Sequence, residues 1–334
     1  MVPTKESKQP VVANGAEQKD GDKEAAQTAK AIAAAEVFLA ALDETQRAKA
    51  LYAFDSTKRS GWSNLPITSV PRNGVRLGDL TKSQRDAAMS VVAAVCSKEG
   101  YQKVVDIMGG DEVLATKGGG KGNKNSFGND NYFLAIFGKP SPNTPWLVQF
   151  GGHHLGLNMT LVGKSFVLTP THTGTQPASY MRDGKTVRPL GKENDAAFKL
   201  VNSLDEKQVA LAILKDKNKD LVLGPGKDGK TVQPGGIQAS LLNDDQKAML
   251  LEVIGAWVNI MNDDAAAARM AQIKSKLGET YFGWTGPTTD GSTAYYRVQS
   301  PVLVIEYASQ GSPDHIHTIV RNPLNDYGQQ LIKQ

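Results

Sequence analysis

Five histidines are the residues best suited to chemistry in this chain, and all stand in segments without helical periodicity. His153 and His154 follow an apolar run, Trp146–Phe150, that reads as a strand. His172 lies in the loop Thr169–Thr175, and His315 and His317 belong to the extended run Pro313–Arg321. Residues two apart in a strand face the same way, so His315 and His317 can converge on one point. Neighbours alternate, so only one of His153 and His154 is expected to turn inward. Neutral imidazoles ligate Zn, Cu and Fe. The pattern therefore predicts a transition-metal site drawn from His153, His154, His315 and His317. Against it stands a plainer reading, in which these histidines are hydrogen-bonded within a sheet and His172 has no role.

Three further residues complete the candidate set. Glu306 sits inside the apolar strand Val302–Tyr307, where a carboxylate is costly unless paired, hydrogen-bonded or coordinated. It is a candidate ligand or general base, or else a partner for Arg297 or Arg321. Arg321 and Asp326 flank the turn-forming run Asn322-Pro-Leu-Asn325. They suit either the fixing of an anionic substrate or an internal staple. The chain has no Gly-x-Ser-x-Gly, Cys-x-x-Cys or Gly-x-Gly-x-x-Gly, which weakens serine-hydrolase, thiol-redox and dinucleotide readings.

The elements that must position these residues are written twice along the chain, in short runs at matched spacing. Leu42-Asp-Glu-Thr-Gln46 reappears as Leu204-Asp-Glu-Lys-Gln208, and a second Leu-x-x-x-Gln places Gln84 opposite Gln246. Gln46 and Gln84 stand 38 residues apart, as do Gln208 and Gln246, and the offset between the sets is 162. That offset carries Gly152-His153-His154 onto Asp314-His315-Ile316. A duplicated helix–helix–β-hairpin unit is expected, spanning about 29–164 and 195–328. The fold class is α+β, with outer helices packed around a shared antiparallel or mixed sheet. Helices are expected at 29–54 (interrupted near Asp43), 80–98 with Thr81 as N-cap, 101–108, 195–204, 205–214, 244–261 and 265–277. Strands are expected at 132–137, 146–150, 295–299 and 302–307. The Gly/Lys/Asp-rich stretch 215–234 reads as an exposed hairpin.

At 334 residues, with 40% hydrophobic and 22% charged residues, the chain has the composition of a globular protein. Its net charge of +4 is dispersed and its Lys-rich runs are short, so no nucleic-acid partner is expected. Cys96, the single cysteine, lies in an apolar run and is expected to be buried. No apolar run is long enough for a transmembrane helix, and the start lacks the apolar core of a signal peptide. Residues 1–28, polar and nearly free of large apolar side chains, are expected to form a disordered tail ahead of one domain over 29–334.

Two motifs, Trp146–Asn158 (with Phe150-Gly-Gly-His-His154) and His315–Gly328, carry a resemblance, supported by Tyr281-Phe-Gly-Trp284, Tyr295-Tyr-Arg-Val-Gln299 and Val304-Ile-Glu-Tyr307. The chain resembles the bacterial family known as domain of unknown function 3500, over nearly everything after the tail. The resemblance implies an extracytoplasmic location, periplasmic or secreted, and brings no activity or ligand set. It falls on His153, His154, Glu306, His315, His317, Arg321 and Asp326. His172 departs from it, standing where an aromatic is expected.

The leading functional expectation is a metal-dependent enzyme, hydrolytic or oxidative, acting on a small molecule. Two rivals accompany it. One is a non-catalytic binding module with an apolar pocket lined by Trp146, Tyr281, Trp284 and Tyr296. The other is a structural envelope protein whose histidines only staple the sheet.

Overall fold

The computed structural model describes residues 14–117, 123–216 and 218–332. Helices α1 (Asn14–Ala41) and α2 (Glu44–Ala50) lead into a two-residue strand, β1 (Leu51–Tyr52). After β2 (Val75–Arg76) come α3 (Lys82–Val95), α4 (Lys98–Lys117) and α5 (Asn123–Ser126). Strands β3 (Phe133–Phe137), β4 (Trp146–Gly151), β5 (Leu155–Val162), β6 (Ser165–Val167) and β7 (Thr171–Thr175) follow. A small separate ribbon, β8 (Tyr180–Arg182) and β9 (Lys185–Val187), leads to α6 (Gly191–Asn202) and α7 (Glu206–Ala212). The chain continues through β10 (Ile237–Gln238), α8 (Asp244–Val258), α9 (Asp263–Ser275) and β11 (Tyr281–Thr285). It closes with β12 (Tyr295–Ser300), β13 (Leu303–Ser309), β14 (Ile316–Arg321) and α10 (Gln329–Ile332).

Twelve strands form one mixed sheet, ordered β1-β3-β4-β5-β7-β14-β13-β12-β11-β10, with β2 on β3 and β6 on β5. Only β1 pairs in parallel; the remaining ladders are antiparallel. The two halves of the chain meet at the β7–β14 ladder, where His172 lies opposite Ile319 and His317 opposite Gly174.

The helices cover one face of this sheet. Val91, Val92, Val95, Leu250, Ile254 and Trp257 from α3 and α8 pack on Trp146, Val148, Leu157, Ile305 and Tyr296 in one large core. The opposite face is built differently. Register places Gln149 beside Asn158, Arg297 beside Glu306, and Val304 beside Arg321, and these polar side chains are all buried. They are covered by loops rather than helices. A loop buried against a sheet must have its backbone groups satisfied, and the polar layer does this. Gln149 donates to the Arg59 carbonyl, and Arg297 to that of Gln233. Arg321 donates to the carbonyls of Leu223 and Gly224, while Glu306 accepts from the amides of Val222 and Leu223.

Several expectations change here. Residues 14–28, expected as part of a tail, belong to α1: Ala, Lys, Gln and Glu are good helix formers, and Thr28 is buried, its hydroxyl donating to the Gly163 carbonyl at 2.6 Å. Residues 1–13 lie outside the described residues. The stretch 215–234 is no exposed hairpin; it contains no strand among its described residues, and its Leu223 is buried. The expected helix over 29–54 ends at Ala41 and restarts at Glu44, with Asp43 capping α2 through the Gln46 amide. The strand β11 was not foreseen, and α4 is more than twice the length expected.

Gln46, Gln84, Gln208 and Gln246 each complete a capping box at a helix start. Gln84 Nε2 donates to Gln46 Oε1 at 2.8 Å, and Gln246 Nε2 to Gln208 Oε1 at 2.8 Å, so each half ties two helix starts together by an amide pair. The correspondence stops before the histidines. His153 and His154 occupy the β4–β5 turn, whereas His315 precedes β14; the β12–β13 turn holds Pro301 and Val302 instead. No helix among the described residues is long and apolar enough to cross a membrane.

Candidate metal centre

The β4–β5 turn owes its shape to two glycines. A Cβ on Gly151 would lie 2.2 Å from the Leu155 carbonyl oxygen, and one on Gly152 would lie 2.9 Å from that of Asn131. Arg72 clamps the turn from outside, donating through Nε and Nη2 to the Gly152 carbonyl at 3.1 and 2.9 Å. Because His153 and His154 sit in a turn and not in a strand, alternation does not apply to them. Both rings are buried, with centroids 3.8 Å apart.

Behind them stands Asp111, a buried carboxylate on α4. Its Oδ1 is 2.6 Å from His154 Nδ1 and 3.5 Å from His153 Nδ1, and its Oδ2 accepts from the Tyr132 hydroxyl at 2.8 Å. The helix approaches this closely because Gly109 and Gly110 precede Asp111. A Cβ on Gly109 would fall 2.2 Å from the Tyr180 hydroxyl, and one on Gly110 would press on Thr175 Oγ1 at 3.3 Å. Burial alone would raise the Asp111 pKa, but His154 and His153 hold it well below the usual carboxylate range. Burial lowers His154 to about 3, so its imidazole is neutral near pH 7. With an ionised Asp111 accepting at Nδ1, the His154 proton resides on Nδ1 and the Nε2 lone pair faces outward.

That Nε2 lies 3.3 Å from His315 Nε2. His315 stands in the turn before β14 and is half-buried; burial and the neighbouring His317 and His153 lower it to about 4. His317, on β14, repeats the arrangement of His154. Its Nδ1 is 3.3 Å from Asp220 Oδ1 and 3.2 Å from the Asn64 amide nitrogen, while its Nε2 is buried without a hydrogen-bond partner. The ring centroids of His315 and His317 are 4.6 Å apart. One donor atom from each of His154, His315 and His317 falls within 4.8 Å of the others, and the same holds for Asp111, His153 and His154. This buried His/Asp cluster can hold a metal ion.

His172 joins it, contrary to the expectation of a loop residue without a role. On β7, its Nδ1 donates to the Thr318 carbonyl at 2.7 Å, its Nε2 is buried and unpartnered, and its ring lies 5.5 Å from that of His317. Gly174 sits between two rings: a Cβ there would meet His154 Cδ2 at 2.9 Å and His172 Nε2 at 3.3 Å. All five histidines thus form one connected group.

The remaining candidates lie elsewhere. Among the described residues, neither metal-competent group contains Glu306. Its carboxylate accepts from the Tyr295 hydroxyl at 2.5 Å and from the Val222 and Leu223 amides at 3.0 and 2.7 Å, without pairing with Arg297 or Arg321. Arg321 donates to Asp326 at 2.8 Å and to Asp228 at 2.9 Å, and Asp326 accepts the Asn322 amide at 2.9 Å. These are the contacts of the staple reading; the three residues anchor loops. The apolar pocket imagined around Trp146, Tyr281, Trp284 and Tyr296 is filled core. Trp146, Trp284 and Tyr296 are fully buried, the last two stacked at 6.0 Å.

Sequence reasoning missed Asp111 and Asp220. A Gly-Gly pair ahead of an acidic residue inside a helix was a usable signal for Asp111, since glycine in a helix interior costs stability and implies close approach. Asp220 carried no signal, standing beside lysines in a stretch that reads as solvated.

One family model matches residues 24–329, and its description is Protein of unknown function (DUF3500). No curated protein and no solved structure matches the chain.

Proposed function

This chain belongs to the DUF3500 family, whose description assigns no chemistry, and on the chemistry of the cluster alone we propose that it is a metal-dependent enzyme acting on a small molecule. His154, His315 and His317 are the protein ligands. The observation that carries this reading is a repeated one: two histidines, each backed at Nδ1 by a carboxylate, turn their free Nε2 atoms inward. Asp111 backs His154 and Asp220 backs His317. A carboxylate behind a ligating histidine fixes its tautomer and raises its basicity. Spacing supports the same reading. Zinc–nitrogen bonds of about 2.0–2.1 Å at tetrahedral angles put ligand nitrogens about 3.3 Å apart, and the His154–His315 separation is 3.3 Å.

Three protein ligands leave a position for substrate, and the half-buried His315 marks the side from which one arrives. The bound ion would supply Lewis-acid polarisation or a redox couple, which keeps hydrolysis and oxidation both open among Zn, Cu and Fe. The chain's own part is to hold three imidazoles in a largely dry site and to orient two of them from Asp111 and Asp220. Elemental analysis of protein purified without an affinity tag tests this, beside a His315→Ala/His317→Ala double variant checked for fold by circular dichroism. Near-stoichiometric Zn, Cu or Fe in the parent, lost from a folded variant, is the expected result. A metal-free parent that takes up none of these ions on addition overturns it.

A further inference from the structure

A second site lies on the helix-covered face, between α8, α9 and the strands β6, β13 and β14. A cavity of about 90 Å³ is bounded there by apolar side chains that include Val258, Met261, Leu303 and Val320, and by five polar residues, Thr169, Arg269, Gln272, Asn322 and Asn325. Three features set it apart from a packing defect. Arg269 meets no carboxylate among the described residues. Its guanidinium donates only to Gln272 Oε1 and, at 2.5 Å, to the Val302 carbonyl. Burial without an anionic partner lowers its pKa to about 10, so it still carries its charge at neutral pH. Asn322, 6% exposed, has a side-chain Oδ1 that is buried and unpartnered.

A partly buried cation without an anion is expensive unless something supplies an acceptor, and the Asn322 amide, whose unpartnered atom is the acceptor Oδ1, serves the same ligand only once it has turned over. Water can satisfy the amide but leaves the charge unpaired. The apolar side chains select what else can enter. A water molecule occupies about 30 Å³, so the cavity takes roughly three or four heavy atoms. A short aliphatic chain fits it, with a charged head at its edge. We infer that Arg269 and Asn322 bind the carboxylate of a short aliphatic monocarboxylate, of propionate or butyrate size, whose alkyl end enters the cavity. The Asn322 amide turns its Nδ2 to the second carboxylate oxygen, a rotation that its unpartnered Oδ1 leaves free.

Saturation-transfer NMR on the full chain, with propionate as the probe, tests the assignment. Transfer to the propionate methyl protons should saturate with added ligand in the millimolar range. It should fall at least tenfold in Arg269→Gln with the circular dichroism unchanged, and hexanoate should bind at least tenfold more weakly than propionate. Phe166→Trp, which narrows the cavity from a half-buried position packed against the helix-side core, should abolish transfer and serves if the arginine variant does not fold. Absence of transfer in the parent, or equal transfer in Phe166→Trp, overturns the site. Displacement of propionate by chloride at equal concentration shows a generic anion contact and overturns the carboxylate class.

Discussion

Asp111 on α4 and His154 in the β4–β5 turn are joined by a 2.6 Å contact between Oδ1 and Nδ1, both groups buried. A helix-borne carboxylate thereby decides which nitrogen of a turn-borne imidazole faces the cluster. Asp111→Asn preserves the shape and removes the charge. Metal affinity should fall about 10–100-fold, the usual cost of losing an outer carboxylate. A chelator competition titration measures it, and an unchanged affinity would remove Asp111 from the site.

Glu306→Gln separates a structural carboxylate from a functional one. The substitution weakens acceptance from Tyr295 and from two backbone amides of the covering loop. Stability should drop by about 2–3 kcal/mol, since hydrogen bonds to charged groups are worth about 1.5–3 kcal/mol each and the amide keeps part of them. Metal content of the folded variant should stay at the parental level. Urea denaturation and elemental analysis read the two quantities, and metal loss at intact fold would restore Glu306 to the centre.

Gly174→Ala places a methyl group 2.9 Å from His154 Cδ2, 3.0 Å from the Ile316 carbonyl oxygen and 3.3 Å from His172 Nε2. The backbone oxygen cannot yield cheaply, so the imidazoles must. Metal binding should weaken by at least tenfold while far-ultraviolet circular dichroism is retained. Parental affinity in this variant would show that His154 does not ligate.

Cys96 is fully buried at the end of α3, and burial pushes its thiol up to about 12. Only the thiolate reacts. At pH 8 about one molecule in ten thousand carries it, even before access is considered. A disulfide reagent such as 5,5′-dithiobis(2-nitrobenzoate) should leave native protein unlabelled at pH 8 and label it fully in 6 M guanidinium. Rapid labelling of the native chain would contradict the packing around α3.

Gln246→Ala removes the capping acceptor for the Asn243 amide and the donor to the Ser203 carbonyl and Gln208. About 2 kcal/mol of stability should be lost, a cap plus buried hydrogen bonds. Gln208→Ala in the same background should then cost less than it does alone, because the pair is already broken. A double-mutant cycle in urea measures the coupling, and additive losses would show that the amide pair contributes nothing.

The sequence by itself determined what is local. Capping residues, apolar periodicity and prolines gave α3, α8, β3, β4, β12 and β13 to within a few residues, because those signals act within one or two turns of chain. The two Leu-x-x-x-Gln pairs announced contacts that the fold makes in both halves. The histidines were conspicuous for a similar reason: imidazole is rare enough here that five outside helices invite a common purpose. Other features needed the folded chain. Residues 14–28 read as a tail because they are polar, yet helix propensity does not depend on burial. Glu306 looked like chemistry from its apolar neighbours alone, but its carboxylate meets loop amides that lie more than 80 residues away in sequence.

The same reason separates His153 from His154 and brings in Asp111 and Asp220. Ligand geometry depends on where two carboxylates, 43 and 97 residues from their histidines, come to rest. No periodicity encodes such distances. They are set when α4 closes on the sheet through Gly109 and Gly110, and when a loop read as solvated is drawn over the opposite face by Glu306 and Arg321. Residue types and strand ends belonged to the sequence; which nitrogen faces which was decided by packing, because only packing fixes the partner that holds the proton.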